Sequence, residues 1–378
     1  MNKIPPFDLS EQFKVIGAEL NAAVLQVLAS GHYIGGAVVE GLEHQLADYI
    51  GTPECIACNS GTDALYLALR ALKIGASDEV ITTPFTFVAT AEVISAVGAT
   101  PVFVDIEPQT FNLDLAQAEA AITDRTRAII PVHLFGHPVD MTRLMAIAQA
   151  HHLAIVEDCA QATGARWAGQ QVGSIGQIGC FSFYPTKNLG ACGDGGAITT
   201  HDPAIAETIR RLRDHGRRGT YYYEDLGMNS RLDAMQAAIL QVKLRYLETW
   251  NTQRRAIAER YQQLLSPIAG IALPQEATGG QSVWNQYTIR ILSDRSSPGS
   301  NSERRDQIRS QLQTKGVSSM VYYPLPLHLQ PVYAHLGYQP GQLPVAERAA
   351  HEVLSLPMFP ELTVEQQEQV VYSLKDCL

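Results

Sequence analysis

Seven short apolar segments recur through the first part of the chain, with amphipathic segments between many of them. The strand-like ones are Cys55 to Ala57, Val80 to Thr82, Val102 to Asp105, Ala128 to Val132, Ala154 to Glu157, Ile178 to Phe183 and Ala197 to Thr200. Helical spacing of apolar residues marks Ala64 to Leu72, Ala89 to Val97, Leu115 to Ile122 and Met141 to Ala150. Strands alternating with helices predict an α/β fold, with a mostly parallel seven-stranded sheet covered by helices on both faces. Sheets of this kind gather ligands beyond the carboxyl ends of their strands. Chemistry is therefore expected in the residues that follow each strand.

One of these segments runs into Ser182-Phe183-Tyr184-Pro185-Thr186-Lys187-Asn188-Leu189-Gly190 and on to Gly193-Asp194-Gly195-Gly196. The chain has seven lysines, and only Lys187 has an aromatic, proline- and glycine-rich setting. Desolvation disfavours an ammonium ion, and a neutral amine is the form that reacts with a carbonyl. Upstream, Ala154-Ile155-Val156-Glu157-Asp158 is a strand that delivers a carboxylate at its end. Asp158 and Glu157 should face opposite sides of that strand. A desolvated lysine and a strand-end aspartate that keeps a ring nitrogen protonated are the pair pyridoxal phosphate chemistry requires. The competing readings are an ordinary exposed lysine and a helix N-cap. Local apolarity disfavours the first, and Gly164 follows Cys159-Ala160-Gln161-Ala162 too soon for the second.

That chemistry also needs an anion cradle and a ring wall. Asn59-Ser60-Gly61-Thr62-Asp63 lies between a strand and a helix, where backbone amides and a hydroxyl hold phosphate well, and Ser182 offers a second hydroxyl. Taken alone, this is a common N-cap pattern. Thr83-Pro84-Phe85-Thr86-Phe87 offers Phe87 or Phe85 as a stacking ring, although an aromatic there is more often core. Other motifs carry less. Gly173, Gly176 and Gly179 neither follow a strong strand nor open a helix, so they are not a dinucleotide fingerprint. Cys55 and Cys58 lack the second pair a zinc site needs, and Gly136 and Pro138 put His133 and His137 in a turn. No metal is expected.

The net charge of −10 argues against a nucleic-acid partner. No apolar run approaches the ~20 residues of a membrane span, and the N-terminus lacks a signal-peptide core, so a cytoplasmic location and no membrane partner are expected. Residues 1–245 should form a large domain and 246–378 a small one, bridged by one or two long helices from Leu232 to Leu265. The N-terminal helix, Glu11 to Leu28, is expected against the small domain. A strand over Gln286 to Ile291, an exposed loop over Asp294 to Ser302, and helices near Glu303 to Lys315, Val345 to Leu354 and Val364 to Leu374 complete the outline.

Val156 to Gln161, Ser182 to Gly190 and Gly227-Met228-Asn229-Ser230-Arg231-Leu232-Asp233 together resemble the DegT-type nucleotide-sugar aminotransferases. The likeness runs from the Asp8 region to Ser355-Leu356-Pro357-Met358. It implies fold type I of the pyridoxal phosphate enzymes, with a smaller C-terminal α/β domain, and a homodimer with shared sites. By the same resemblance Lys187 carries the cofactor covalently and Asp158 pairs with its ring nitrogen. Gln161 lies against the ring hydroxyl, Phe87 stacks, and Gly61, Thr62 and Ser182 hold the phosphate. Asn229 reaches the phosphate in the neighbouring subunit. Related sugar dehydratases replace the lysine with histidine, so retained Lys187 favours amino transfer over dehydration. L-Glutamate is the implied amino donor, and polysaccharide or glycoconjugate biosynthesis the implied setting. For the substrate, Tyr33, Arg231 and the Tyr322-Tyr323…His328 segment are the candidates. The segments around Tyr33, Asn188 and Tyr323 resemble enzymes that aminate C3 of a UDP-linked 2-acetamido-3-oxo-uronate. Enzymes acting on dTDP-linked 3-oxo- or 4-oxo-6-deoxyhexoses are the alternative.

Overall fold

A computed structural model describes residues 3–292 and 301–378. Helices α1 (Ser10–Ser30) and α2 (Ala37–Ile50) precede β1 (Glu54–Cys58). Next come α3 (Gly61–Ala71), β2 (Glu79–Thr82), α4 (Ala89–Ala96), β3 (Thr100–Phe103), α5 (Leu115–Ala120), β4 (Thr126–Ile130), α6 (Met141–His151) and β5 (Ala154–Asp158). Two short strands, β6 (Arg166–Trp167) and β7 (Gln170–Gln171), lead to β8 (Ile178–Ser182), β9 (Gly196–Thr200), α7 (Pro203–Leu212), α8 (Ala234–Leu244) and α9 (Leu247–Leu265). The chain continues through β10 (Ile271–Ala272), β11 (Gly280–Gln281), β12 (Tyr287–Ile291), α10 (Asn301–Thr314), α11 (Pro344–Glu352), β13 (Val353–Leu356) and α12 (Val364–Lys375).

The seven expected strands form one sheet in the order β1-β9-β8-β5-β4-β2-β3. Strands β3, β2, β4, β5 and β8 run parallel, and β9 is antiparallel to both β8 and β1. Alternate residues feed two cores. Ile56, Val80, Ile130 and Val156 pack with Leu67 of α3, Val93 of α4 and Ile209 of α7. Ile81, Ile129 and Ile155 pack on the other face with Leu115 of α5 and Leu144 of α6. On β5 this parity puts Asp158 on the α3–α4 face and Glu157 on the opposite one, as expected.

Glu157 is fully buried, and its carboxylate accepts N–H bonds from Gly173 (2.9 Å), Ile175 (2.9 Å) and Gly176 (2.6 Å). His133 Nε2 lies 3.1 Å away. Because His133 Nδ1 accepts from the Val139 amide, Nε2 carries the proton and donates to Glu157. His133, Glu157 and Cys159 place metal-type ligand atoms within 4.8 Å of one another. A metal there would have to displace the amides that already occupy Glu157. The three spaced glycines now have a structural purpose: they let the 173–176 turn lie on β5 and β8. Gly173 has φ 87°, and a Cβ there would overlap the Phe181 ring.

Several expectations need correction. Val353 and Leu354 leave the expected helix and, with Ser355 and Leu356, form β13, which pairs antiparallel with β12. Helices α2 and α7 and the short strands were not foreseen. Asn301 and Ser302 begin α10 rather than a loop, and the rest of the Asp294 to Ser302 stretch lies outside the described residues. Helix α1 is long and apolar enough, by length and composition, to cross a membrane, contrary to expectation. Its Ile16 and Leu20 nonetheless pack against Ile239 and Val242 of α8 and Trp250 of α9, and its Glu19 pairs with Arg245. It is Ile4, ahead of α1, that enters the core built from α9, α10, α12, β12 and β13.

Gly173→Ala combines left-handed strain with overlap against a buried ring. It should cost roughly 2–4 kcal/mol of stability, read as a lower denaturant midpoint at unchanged slope.

Candidate active site

Beyond the carboxyl ends of β1, β5, β8 and β2 lies a cavity of about 530 Å³. Its lining includes Ser60, Gly61, Thr62, Phe87, Asp158, Gln161, Ser182, Lys187, Tyr322 and Tyr323. Nine of the site candidates singled out from the sequence thus meet in one place, although they come from five separate stretches of chain. The cause is topological. Strand β5 lies beside β8 with Asp158 opposite Cys180, and β8 lies beside β9 with Ser182 opposite Gly196.

Lys187 follows β8 in a tight turn, its amide bonded to the Tyr184 carbonyl at 2.8 Å. Burial lowers its amine from the ordinary lysine value to about 8, and attraction to Asp158 partly opposes that fall. Asp158 is buried, and desolvation raises its carboxyl above the usual range. Hydrogen bonds from Thr90 Oγ1 to Oδ2 (2.8 Å) and from the Ala160 amide to Oδ1 (3.1 Å), with the charge of Lys187, work the other way.

The anion cradle is built at the start of α3. Ser60 is its N-cap, in extended conformation, and its Oγ accepts from the Asp63 amide at 3.1 Å. The first amides of the helix, those of Gly61 and Thr62, have no partner four residues earlier and present the positive end of the helix dipole. A Cβ at Gly61 would come within 2.6 Å of Ser182 Cβ, so only glycine lets the helix start approach β8 this closely. The residues therefore suit a phosphate-bearing carbonyl cofactor: an amine poised near neutrality, a buried carboxylate, and an amide–hydroxyl cradle.

Gln161 is fixed at both ends, its Oε1 accepting from the Phe135 amide (2.6 Å) and its Nε2 donating to the Tyr323 hydroxyl (3.2 Å). Of the two candidate rings, Phe87 lines the cavity and is 58% exposed, while Phe85 is fully buried against Phe111 and Tyr323. The remaining candidates do not line this cavity. Tyr33 is exposed between α1 and α2, and Asn229 is exposed in the loop before α8. Arg231 Nη1 bonds to Asp214 at 2.8 Å, while its buried Nε has no partner. His328 is buried, with Nε2 3.1 Å from Glu347. Asn188, whose segment suggested a substrate class, is buried too and bonds Asn251 (2.7 Å) and the Val283 carbonyl (2.9 Å). Thr86, Thr90, Tyr184, Asp194 and Gln286 line the cavity without having been foreseen. Thr86, Tyr184 and Asp194 lie within motifs that drew attention; Thr90 does not.

A larger groove of about 1050 Å³ sits at the opposite ends of the strands, lined by Lys73, Asp78, Arg127, His152, Ala154 and others. It holds neither a desolvated lysine nor a buried carboxylate, and it is on the wrong side of the sheet for ligand binding in this fold class.

The whole chain is similar to known proteins. Over 375 residues the chain is 50% identical to a pleiotropic regulatory protein of Geobacillus stearothermophilus, covering 99% of this chain and 98% of the relative. It is 45% identical to a dTDP-3-amino-3,4,6-trideoxy-alpha-D-glucose transaminase of Streptomyces venezuelae (99% and 96% covered). It is 42% identical to the UDP-2-acetamido-2-deoxy-3-oxo-D-glucuronate aminotransferase of Pseudomonas aeruginosa (94% and 95% covered). Among solved structures, DesV of S. venezuelae superposes with a TM-score of 0.94 at 44% identity, covering 100% and 98% of the two chains. NtdA of Bacillus subtilis, solved with bound cofactor PMP, gives 0.89 at 32% identity, covering 100% and 85%. Residues 14–375 match the family model, and the chain belongs to the DegT/DnrJ/EryC1/StrS aminotransferase family.

Proposed function

We propose that this protein is a pyridoxal phosphate-dependent aminotransferase that moves the amino group of L-glutamate to a keto carbon, C3, of a nucleotide-linked hexose. The observation that carries this reading is the cavity in which Lys187, lowered to about 8, shares space with buried Asp158 and the Gly61–Thr62–Ser182 cradle. When bound, pyridoxal phosphate supplies an aldehyde that captures amines and a ring that accepts electrons as a proton leaves carbon.

The chain's own residues do the rest. The amides of Gly61 and Thr62 and the Ser182 hydroxyl hold the phosphate. Asp158 keeps the ring nitrogen protonated, and Phe87 and Gln161 confine the ring and its hydroxyl side. Lys187 Nζ, freed by the incoming donor amine, acts as general base toward the donor's Cα proton. In the second half-reaction the same amine returns a proton to C3 of the sugar. Tyr322 and Tyr323 wall the side from which the sugar enters.

The cavity lining contains no arginine among the described residues. A diphosphate or a uronate carboxylate therefore needs a cation from elsewhere. Asn229 and Arg231 lie outside their own chain's cavity, and α1 exposes Phe13 (53%), Val15 (75%) and Leu25 (62%). Both facts suit a homodimer in which one copy completes the other's site. On the same reading, residues 1–245 carry the cofactor and 246–378 form a second unit. Six free thiols suit the reducing cytoplasm.

The uronate reading rests on the likeness to the UDP-linked aminotransferase, and the dTDP-linked deoxyhexose reading on the relative at 45% identity. Purified enzyme with L-glutamate should aminate 3-keto sugar nucleotides in preference to 4-keto ones, with the product regiochemistry read by NMR; equal use of both would reject the C3 assignment. Lys187→Ala should abolish turnover and reduce glutamate-driven conversion of bound cofactor to its amine form by at least about 100-fold. Spectra taken with glutamate alone check this. Because the neutral amine is the reactive form, covalent capture of pyridoxal phosphate by the apoenzyme should accelerate about tenfold per pH unit and level off above about 8. A rate still climbing steeply at pH 10 would show that Lys187 titrates as an ordinary lysine.

A further inference from the structure

Asp158 is held from three directions, only one of which is its own strand. Its backbone is fixed on β5, its amide bonding the Pro131 carbonyl (2.9 Å) and its carbonyl accepting from the His133 amide (3.1 Å). Its Oδ1 accepts from the Ala160 amide, and its Oδ2 accepts from Thr90 Oγ1 on the first turn of α4, 2.8 Å away. Thr90 is 1% exposed and in turn lies 3.1 Å from Thr86 Oγ1, itself 4% exposed.

On the first turn of α4, Thr90 has no carbonyl of its own helix four residues back to accept its proton. Thr90 instead spends its one proton across the fold on a carboxylate 68 residues away. The proton order follows from counting donors. An ionised carboxylate only accepts, so Thr90 must donate to Oδ2. Its oxygen can then meet Thr86 only as an acceptor, so Thr86 donates to Thr90. Thr86, Thr90 and Asp158 all line the cavity. Each Asp158 oxygen has one internal donor, which leaves lone-pair directions free for a cationic N–H.

Resting on the cofactor reading above, we propose that Thr90, polarised by Thr86, is a positioning residue that orients the Asp158 carboxylate toward the ring nitrogen of pyridoxal phosphate and keeps it anionic there. Burial opposes the anion, and the Thr90 hydrogen bond is the largest of the influences that favour it. Its loss weakens the grip on a protonated ring nitrogen and nothing else about the cofactor.

The test compares two ligands that differ at that nitrogen. Apoenzyme of the wild type, Thr90→Val, Thr90→Ser and Thr86→Val is titrated with pyridoxal phosphate and with its 1-deaza analogue, in which carbon replaces the ring nitrogen. Dissociation constants come from quenching of protein fluorescence. Thr90→Val should weaken pyridoxal phosphate roughly tenfold or more, the scale of one hydrogen bond to a charged group, and leave the deaza analogue within about twofold. Thr90→Ser should restore binding to within about threefold. Thr86→Val, which leaves Thr90 and Asp158 in place, should show a smaller loss confined to pyridoxal phosphate, and it carries the same comparison should Thr90→Val not fold. Equal weakening of both ligands, no change in either, or a serine variant as poor as the valine one overturns the assignment. A wild-type apoenzyme that binds neither ligand would overturn the cofactor reading itself.

Discussion

An amine that has lost its water is the constraint on which this structure turns. Lys187 can fall toward neutrality only if the residues around it exclude solvent, yet it must still open onto a cavity large enough for a cofactor and a sugar. The fold meets both demands by ending β5 and β8 side by side. The buried carboxylate of one strand and the lysine loop of the other then share one space, and attraction to Asp158 partly opposes the fall of the lysine's amine. Strand β9 runs against its neighbours and brings Gly196 beneath Ser60, where a side chain would collide with the Ser60 carbonyl. That close approach draws the start of α3 up to the lysine strand.

The lysine loop is itself held from outside. Asn285 donates to Asn188 Oδ1 (2.7 Å) and to the Thr186 carbonyl (3.3 Å), and Asn188 donates to Asn251 Oδ1 on α9. Asn251 reaches the Thr163 carbonyl (3.1 Å), and the buried ammonium of Lys243 caps the Gly190 carbonyl (2.7 Å). A chain of three buried amides thus ties the turn around Lys187 to the long helix that leads into the second half of the molecule. Buried polar groups of this kind are costly when unpaired, so the network favours a single loop geometry.

Much of this was legible in the order of residues. The seven strands announced themselves as apolar runs with turn residues at their ends, and Lys187, Asp158, Gly61, Thr62, Ser182 and Gln161 sit at those ends. Residues that act by pairing across the fold were not legible. Thr90 reads as one more polar residue in a helix, and Glu157 as the less interesting neighbour of Asp158. Asn188 entered only through the likeness of its segment, and His328 was a substrate candidate by its place in an aromatic run. In the fold Asn188 is a buried brace, and His328 is buried with Nε2 beside Glu347. Val353 to Leu356 kept an apolar pattern that helix and strand share, and pairing with β12 decided between them.

The amino-acid order by itself determined which residues stand at strand ends, because apolar periodicity and punctuation by glycine and proline are local properties. It also set the local apolarity that strips water from Lys187. Only the tertiary structure decided which ends become neighbours, which of Phe85 and Phe87 faces the cavity, and which hydroxyl holds Asp158. Those outcomes depend on sheet order and on contacts between residues tens of positions apart, where no spacing rule reaches.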